Sequence, residues 1–167
     1  MITRCYLEIT NVCNLDCLFC PKTERKGRSL SVGEFDLLTD RLVGRIKFLY
    51  FHLMGEPLLH RHLPEFVRMA KAKGFIPVLT TNGTLLDKAG DALLEALPHK
   101  VQISLHSHEG NGKDNPEQYI SDVASFAQAA AARGTIVVLR LWNQGGYESR
   151  NNEIMELLAN CFPRPWT

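Results

Sequence analysis

What the chain lacks narrows the field first. No apolar run in its 167 residues approaches the length of a membrane span. The opening Met1-Ile2-Thr3-Arg4 passes straight into a strand pattern and does not resemble a signal peptide. Neither sign of charge is in excess: 19 Lys and Arg stand against 18 Asp and Glu, a net +1. That balance gives no reason to expect nucleic acid or an anionic membrane as the main partner. A spaced, even set of cysteines is missing too. The five present are an odd number with three crowded together, which fits a reducing compartment better than a secreted disulfide frame. There is no low-complexity tract, linker or solenoid repeat. We therefore expect one soluble, cytoplasmic domain over residues 1–167, long enough to bury a core.

What is present is a strand followed by a helix, five times over. Strands are expected near residues 4–10, 47–54, 76–81, 100–107 and 135–142. The first helix opens at Ser31, with Glu34 completing a capping box and Phe35, Leu38, Leu42 and Ile46 on one stripe. The second has Pro64 in its first turn, turns Phe66, Val67 and Ala70 inward and ends at Gly74. A third, near residues 87–97, stops at Pro98, and a fourth runs from Asn115-Pro116 to Gly134. A last helical pattern carries Ile154, Leu157, Leu158 and Cys161.

Such alternation means a parallel sheet with right-handed crossovers. Within the strands, side chains alternate between faces. One set is apolar and should pack on the helices: Cys5, Leu7, Ile9, Leu49, Phe51, Leu53, Val101, Ile103, Leu105, Val137, Leu139 and Leu141. The other holds Glu8, Thr10, His52, Thr80, Asn82, Gln102, Ser104, His106 and Arg140. Closed barrels fill their interior with branched apolar side chains. A polar inner face instead implies an α/β fold of about five parallel βα units in a partial, open (β/α) barrel, its inner side lined for a polar ligand. A flat sheet with one solvated face is the rival. The loops after the first three strands, namely the cysteine loop, Gly55-Glu56-Pro57 and Asn82-Gly83, all fall on the C-terminal edge, where βα folds bind ligands.

Cys13, Cys17 and Cys20 stand at i, i+4 and i+7 directly after the first strand. Thiolates are soft ligands, and so dense a group in a reduced chain points to metal. Tetrahedral zinc and electron-transfer iron–sulfur centres normally take four protein ligands. Only three are local, so a fourth comes from elsewhere or one metal position is open. Spacing does not choose the metal, and a zinc knot completed by a distant His or Cys, or unliganded buried cysteines, remain alternatives.

With these residues placed, the chain resembles the radical S-adenosylmethionine (SAM) enzymes along its whole length. Cys13-x3-Cys17-x2-Cys20, with Phe19 before the last cysteine, is similar to that family's cluster motif. Met54-Gly55-Glu56-Pro57 after the second strand resembles its Gly-Gly-Glu motif, with Met54 in place of the first glycine. Thr81-Asn82-Gly83 after the third strand and Ser104 in the fourth stand where the family places polar residues. The resemblance implies a [4Fe–4S] cluster on Cys13, Cys17 and Cys20, whose fourth iron chelates the amino and carboxylate groups of SAM. Reductive cleavage would give methionine and a 5′-deoxyadenosyl radical that abstracts hydrogen from a substrate, an oxidoreductase chemistry carried by the cofactor. The likeness further implies that Glu56 accepts a hydrogen bond from the SAM ammonium, with Gly55 allowing close backbone approach. Ser104 would reach the ribose or carboxylate, Asn82 would line the same cavity, and Phe19 would pack near cluster or adenine. Arg140 suits the SAM carboxylate, or else pairs with Glu8 across the sheet.

Other residues carry less. His52 and His106 face inward without an assigned chemical role, and Cys5 and Cys161 read as small core residues. Lys22, Arg25, Lys26 and Arg28 form a solvated loop, or guide an acidic electron donor such as a flavodoxin. Nothing after Trp142 reads as the further strand that full cores of the family carry, residues 143–150 being polar. The expected protein is thus a truncated chain, an enzyme needing a partner subunit or second copy at its open sheet edge, or a remnant without turnover. The N-terminal part resembles peptide-modifying members; the substrate, small molecule or peptide, is not legible. A short activating enzyme that installs a glycyl radical is the enzymatic alternative. A zinc-binding structural or interaction module is the alternative of another class.

Overall fold

The computed structural model describes residues 3–109, 116–141 and 150–162. Five strands, Arg4–Tyr6 (β1), Phe48–Tyr50 (β2), Ile76–Thr81 (β3), Lys100–Ser104 (β4) and Ile136–Arg140 (β5), form one sheet in chain order with every neighbour parallel. Helices Val32–Asp40 (α1), Leu63–Ala72 (α2), Leu86–Ala96 (α3), Glu117–Ala132 (α5) and Asn151–Cys161 (α6) follow the strands, with a short turn of helix, His106–Glu109 (α4), after β4. This is the open arrangement of βα units expected from the alternation: among the described residues β1 and β5 each have one neighbour and the sheet does not close. None of the described helices is long and apolar enough to cross a membrane.

Local chemistry starts the helices where the sequence says. The Ser31 hydroxyl accepts from the Glu34 N–H at 3.2 Å and the Glu34 carboxylate accepts from the Ser31 N–H at 2.8 Å, a complete capping box. Arg28 pairs with the same carboxylate. Residues of α1, α2, α3 and α5 then pack on the apolar face of the sheet. Phe35 stacks on Phe66 at 4.1 Å and meets the edge of Phe51, all three fully buried. Leu49, Leu79, Val101 and Ile103 continue that core.

Several expectations are corrected. The strands are shorter than the apolar patterns: β1 and β2 hold three residues each, though Leu7 N–H still donates to Tyr50 O and Phe51 N–H to Val78 O beyond their ends. Beyond Phe51 the chain leaves the ladder, so alternation lapses and Leu53 is exposed instead of packed on helices. In α1 the inward pair is Phe35 and Thr39, four residues apart, which rolls Leu38 outward to 38% exposure. β4 ends at Ser104, and His106 belongs to α4 rather than to an inward strand position. Thr10 is buried against Arg28 and Ser29. Cys5 packs against the core as expected, whereas Cys161 lies partly buried outside it. Trp142, Asn115, residues 143–149 and the tail 163–167 lie outside the described residues, so the reading of a missing further strand is not addressed there.

Candidate active site

The cysteine loop leaves β1 and returns to it through a pinned neck. The Leu30 N–H donates to Ile9 O (2.8 Å), the Asn11 N–H to Arg28 O (3.1 Å), and Thr10 and Ser29 bridge. Asn11 closes the neck further, its side chain accepting from the Arg28 N–H and donating to Lys26 O. Between these points Cys13 is exposed, Cys17 buried and Cys20 half-buried, all as free thiols. The Leu15 N–H points at Cys13 Sγ (3.5 Å) and the Lys22 N–H at Cys20 Sγ (3.4 Å), an arrangement that favours negative charge on sulfur. Partial desolvation by its surroundings nonetheless pushes the pKa of the Cys13 thiol up, with the nearby Glu56 and Cys20 adding to it. Among the described residues, no group of three His, Cys, Asp or Glu side chains is gathered as a metal-ion site.

All three cysteines face one cavity of about 380 Å³, whose walls also include Gly55, Glu56, Asn82, Ser104 and Phe19. The loops expected to converge on the C-terminal edge therefore do so. The Gly55-Glu56-Pro57 turn is tied to the cysteine loop by the Glu56 N–H, which donates to Val12 O at 2.8 Å. Gly55 has φ +77°, and a Cβ there would lie 2.5 Å from Thr10 O and 2.8 Å from Val12 O. The close approach that demands glycine is thus to the backbone before Cys13.

Glu56 is 1% exposed, and its carboxylate is already engaged. Oε1 accepts from the Leu58 N–H (2.9 Å) and the Thr81 hydroxyl (2.7 Å); Oε2 accepts from the Asn82 N–H (2.7 Å). Burial raises its pKa while these donors pull it back, the net being above the ordinary carboxylate value. The Asn82 carboxamide is equally committed, donating to Asn14 Oδ1 (3.0 Å) and accepting from the Thr84 N–H and hydroxyl. Tyr119, its phenol pKa raised by burial, donates to Asn82 O at 2.8 Å. Ser104 is buried at the cavity wall.

Phe19 tilts against His106 with ring centroids 5.1 Å apart. His106 Nδ1 lies 3.2 Å from Arg140 O, and burial lowers its pKa. His52 sits on the cavity wall with Nε2 3.2 Å from the Thr80 hydroxyl, which also accepts from Gln102. Its Nδ1 is buried without a hydrogen-bond partner among the described residues. Burial, then the nearby Arg140, push its pKa down to about 4, so it is neutral at physiological pH. Arg140 pairs in register with Ser104 but is exposed and is not among the residues that line the cavity. The rival pairing with Glu8 does not form: Glu8 is held by Arg25 at 2.7 Å and accepts from the Met54 N–H. The basic group is largely neutralised as well, since Lys22 pairs with Asp16, Arg25 with Glu8 and Arg28 with Glu34.

Sequence reasoning missed the roles of Asn14, Thr84 and Tyr119. Their signal was faint, a hydroxyl or carboxamide flanking a motif, and only the fold shows that Asn14 and Thr84 meet across 70 residues.

Comparison with known proteins follows from this geometry. The profile of the radical SAM superfamily matches residues 7–158. The chain is similar to GTP 3′,8-cyclase of Chlorobaculum tepidum, 41% identical over 107 residues that cover 59% of this chain and 31% of that protein. It is also similar to the tungsten-containing aldehyde ferredoxin oxidoreductase cofactor-modifying protein of Pyrococcus furiosus, 37% identical over 86 residues, 48% of this chain and 24% of that one. SuiB of Streptococcus suis, solved with S-adenosylmethionine, superposes with a TM-score of 0.70 at 17% identity, covering 96% of this chain and 38% of SuiB. That identity speaks to fold alone. The chain spans roughly a third of the length of the curated relatives it matches.

Proposed function

The chain belongs to the radical SAM superfamily, and from that membership we propose that Cys13, Cys17 and Cys20 hold a [4Fe–4S] cluster beside a SAM site. The observation that carries the reading is the meeting, in one cavity, of three free thiols with the Gly55-Glu56 turn and the end of β3. The donor set fits the group. A trio of thiolates leaves one iron for an exogenous chelator, and backbone N–H groups already point at two of the sulfurs.

A cluster held by Cys13, Cys17 and Cys20 would supply the one-electron reduction of SAM that makes it a hydrogen-abstracting reagent. The chain's residues bind, orient and exclude water. Ser104 offers its hydroxyl to SAM from β4, and Phe19 closes the loop side of the cavity against His106. Gly55 and Glu56 shape the opposite wall, and Oε2 of Glu56 keeps one acceptor position beyond its bond to Asn82. His52 stays neutral beside Thr80 and adds no charge to the cavity.

A reductant is part of the proposal. A flavodoxin-like donor would find little free positive charge on the loop, because among its four cations only Lys26 makes no ion pair within the described residues. The substrate belongs to the proposal too. Relatives named GTP 3′,8-cyclase make GTP the first compound to supply, ahead of peptides, for which the likeness to SuiB offers only a shared fold.

Anaerobic reconstitution with iron and sulfide tests the reading. We expect a brown protein with about four iron and four sulfide per chain, and the loss of both in Cys17→Ser. A colourless protein retaining one zinc would replace the reading with that of a structural module, and a chain that holds neither would be a remnant.

A further inference from the structure

Three polar side chains beside the cavity close into a ring whose donors and acceptors all agree in direction. The Asn82 carboxamide donates to Asn14 Oδ1 (3.0 Å), Asn14 Nδ2 donates to Thr84 Oγ1 (2.9 Å), and the Thr84 hydroxyl donates to Asn82 Oδ1 (2.8 Å). The Thr84 N–H adds a fourth bond to the same Oδ1 at 3.0 Å. The ring joins the residue after Cys13 to the end of β3, 68 positions on.

Its anchor is rigid. The Asn82 N–H is held by the buried Glu56 carboxylate (2.7 Å), and Tyr119 of α5 fastens the Asn82 carbonyl (2.8 Å). Next along the chain, Gly83 has φ +74° and no room for a Cβ, which would stand 2.8 Å from Ile103. On the other side Asn14 is exposed and sits on an irregular loop that has its own neck only at residues 9–12 and 26–30. Besides the ring, the first half of that loop is tied by the Glu56 N–H to Val12 O, the turn bond from Leu15 N–H to Cys13 Sγ, the Cys20 N–H to Cys17 O and the Cys17 contact with Ser107 O at 3.7 Å.

We infer that Asn14, Asn82 and Thr84, seated on Glu56, form a positioning device that holds the cysteine loop against the end of β3 before any cluster is bound. Asn14 and Thr84 thereby join the machinery of the site; Asn82 serves it by committing its carboxamide to the loop, and Glu56 by fixing the Asn82 N–H. A loop ordered in advance costs less to order when its ligand arrives. The inference rests on the proposed function only in taking Cys13, Cys17 and Cys20 as ligands; the ring itself uses none of the three.

The test therefore uses the metal-free protein. Iodoacetamide modification of each cysteine, followed by mass mapping, reads local opening through Cys17, which is 8% exposed and is expected to react faster when the loop lifts. Asn14→Ala and Thr84→Val are expected to speed Cys17 modification about tenfold, equivalent to ~1.4 kcal/mol of lost closure. Thr84→Ser, which keeps the hydroxyl, is expected to restore the wild-type rate, a rescue that mere packing of the threonine methyl would not give. Cys5 and Cys161 should react as in the wild type. Cys17 rates within twofold of wild type in both Asn14→Ala and Thr84→Val would overturn the inference. A uniform rise at all five thiols would also overturn it, by showing that the ring holds the fold and not the loop. Either failure leaves cluster binding and SAM cleavage to be judged separately by iron content and by released deoxyadenosine.

Discussion

Glycine 55 shows how tightly a single residue constrains the site. Its left-handed φ and the Thr10 and Val12 carbonyls beside it leave no space for a methyl group. Gly55→Ala is expected to cost about 3 kcal/mol and lower Tm by roughly 6–12 °C in a thermal melt, strain and clash adding. His52 makes a different prediction. In the unfolded chain its imidazole takes a proton near pH 6.5, but in the fold only near 4. Between those values the unfolded state binds more protons, so the stability this group contributes is complete above pH 6.5 and is lost as pH falls toward 4. Urea titrations across that range should show the decline, at most about 3 kcal/mol from this residue, and His52→Gln should flatten it. It should not abolish it, because burial depresses His60 and His106 in the same direction. The identities of Cys13, Cys17, Cys20, Gly55 and Glu56 were legible at this scale because they sit in short, spaced motifs. What Glu56 touches was not: a carboxylate beside a turn gives no sign in sequence that three donors already surround it.

Elements were legible to the degree that their signals were local. The capping box at Ser31 and Glu34 starts α1 where the sequence places it, and β3 has the expected bounds because turn residues close it on both sides. Removing the cap hydroxyl in Ser31→Ala is expected to cost about 1 kcal/mol by urea denaturation, since the Glu34 N–H then loses its acceptor. Strand ends were legible least. The apolar run through Leu53 looks continuous, but the chain must leave the ladder after Phe51 to reach the turn that meets the cysteine loop, and hydropathy carries no trace of that departure. Likewise Leu105 continues the apolar alternation of β4, but directly after it the backbone turns into α4, which brings Ser107 O to Cys17. Both misplaced strand ends lie at the site. There the backbone follows the cavity and not the sheet.

For the molecule as a whole, the alternation of strand and helix was enough to give five parallel strands in chain order, since right-handed crossovers leave few other arrangements. Which edge carries the site followed from the same rule. The cross-strand ring and the double hold of Arg25 on Glu8 required the folded chain, because they join residues far apart in sequence. The sheet's polar face offers a cavity and its apolar face a core, and the account turns on the cavity. Its most direct measurement is 5′-deoxyadenosine released from SAM by the reconstituted, dithionite-reduced chain under anaerobic conditions. The account predicts release by the wild type and none by Cys13→Ser, Cys17→Ser or Cys20→Ser. Intact SAM after prolonged incubation with a wild-type chain that carries its full iron and sulfide would contradict it.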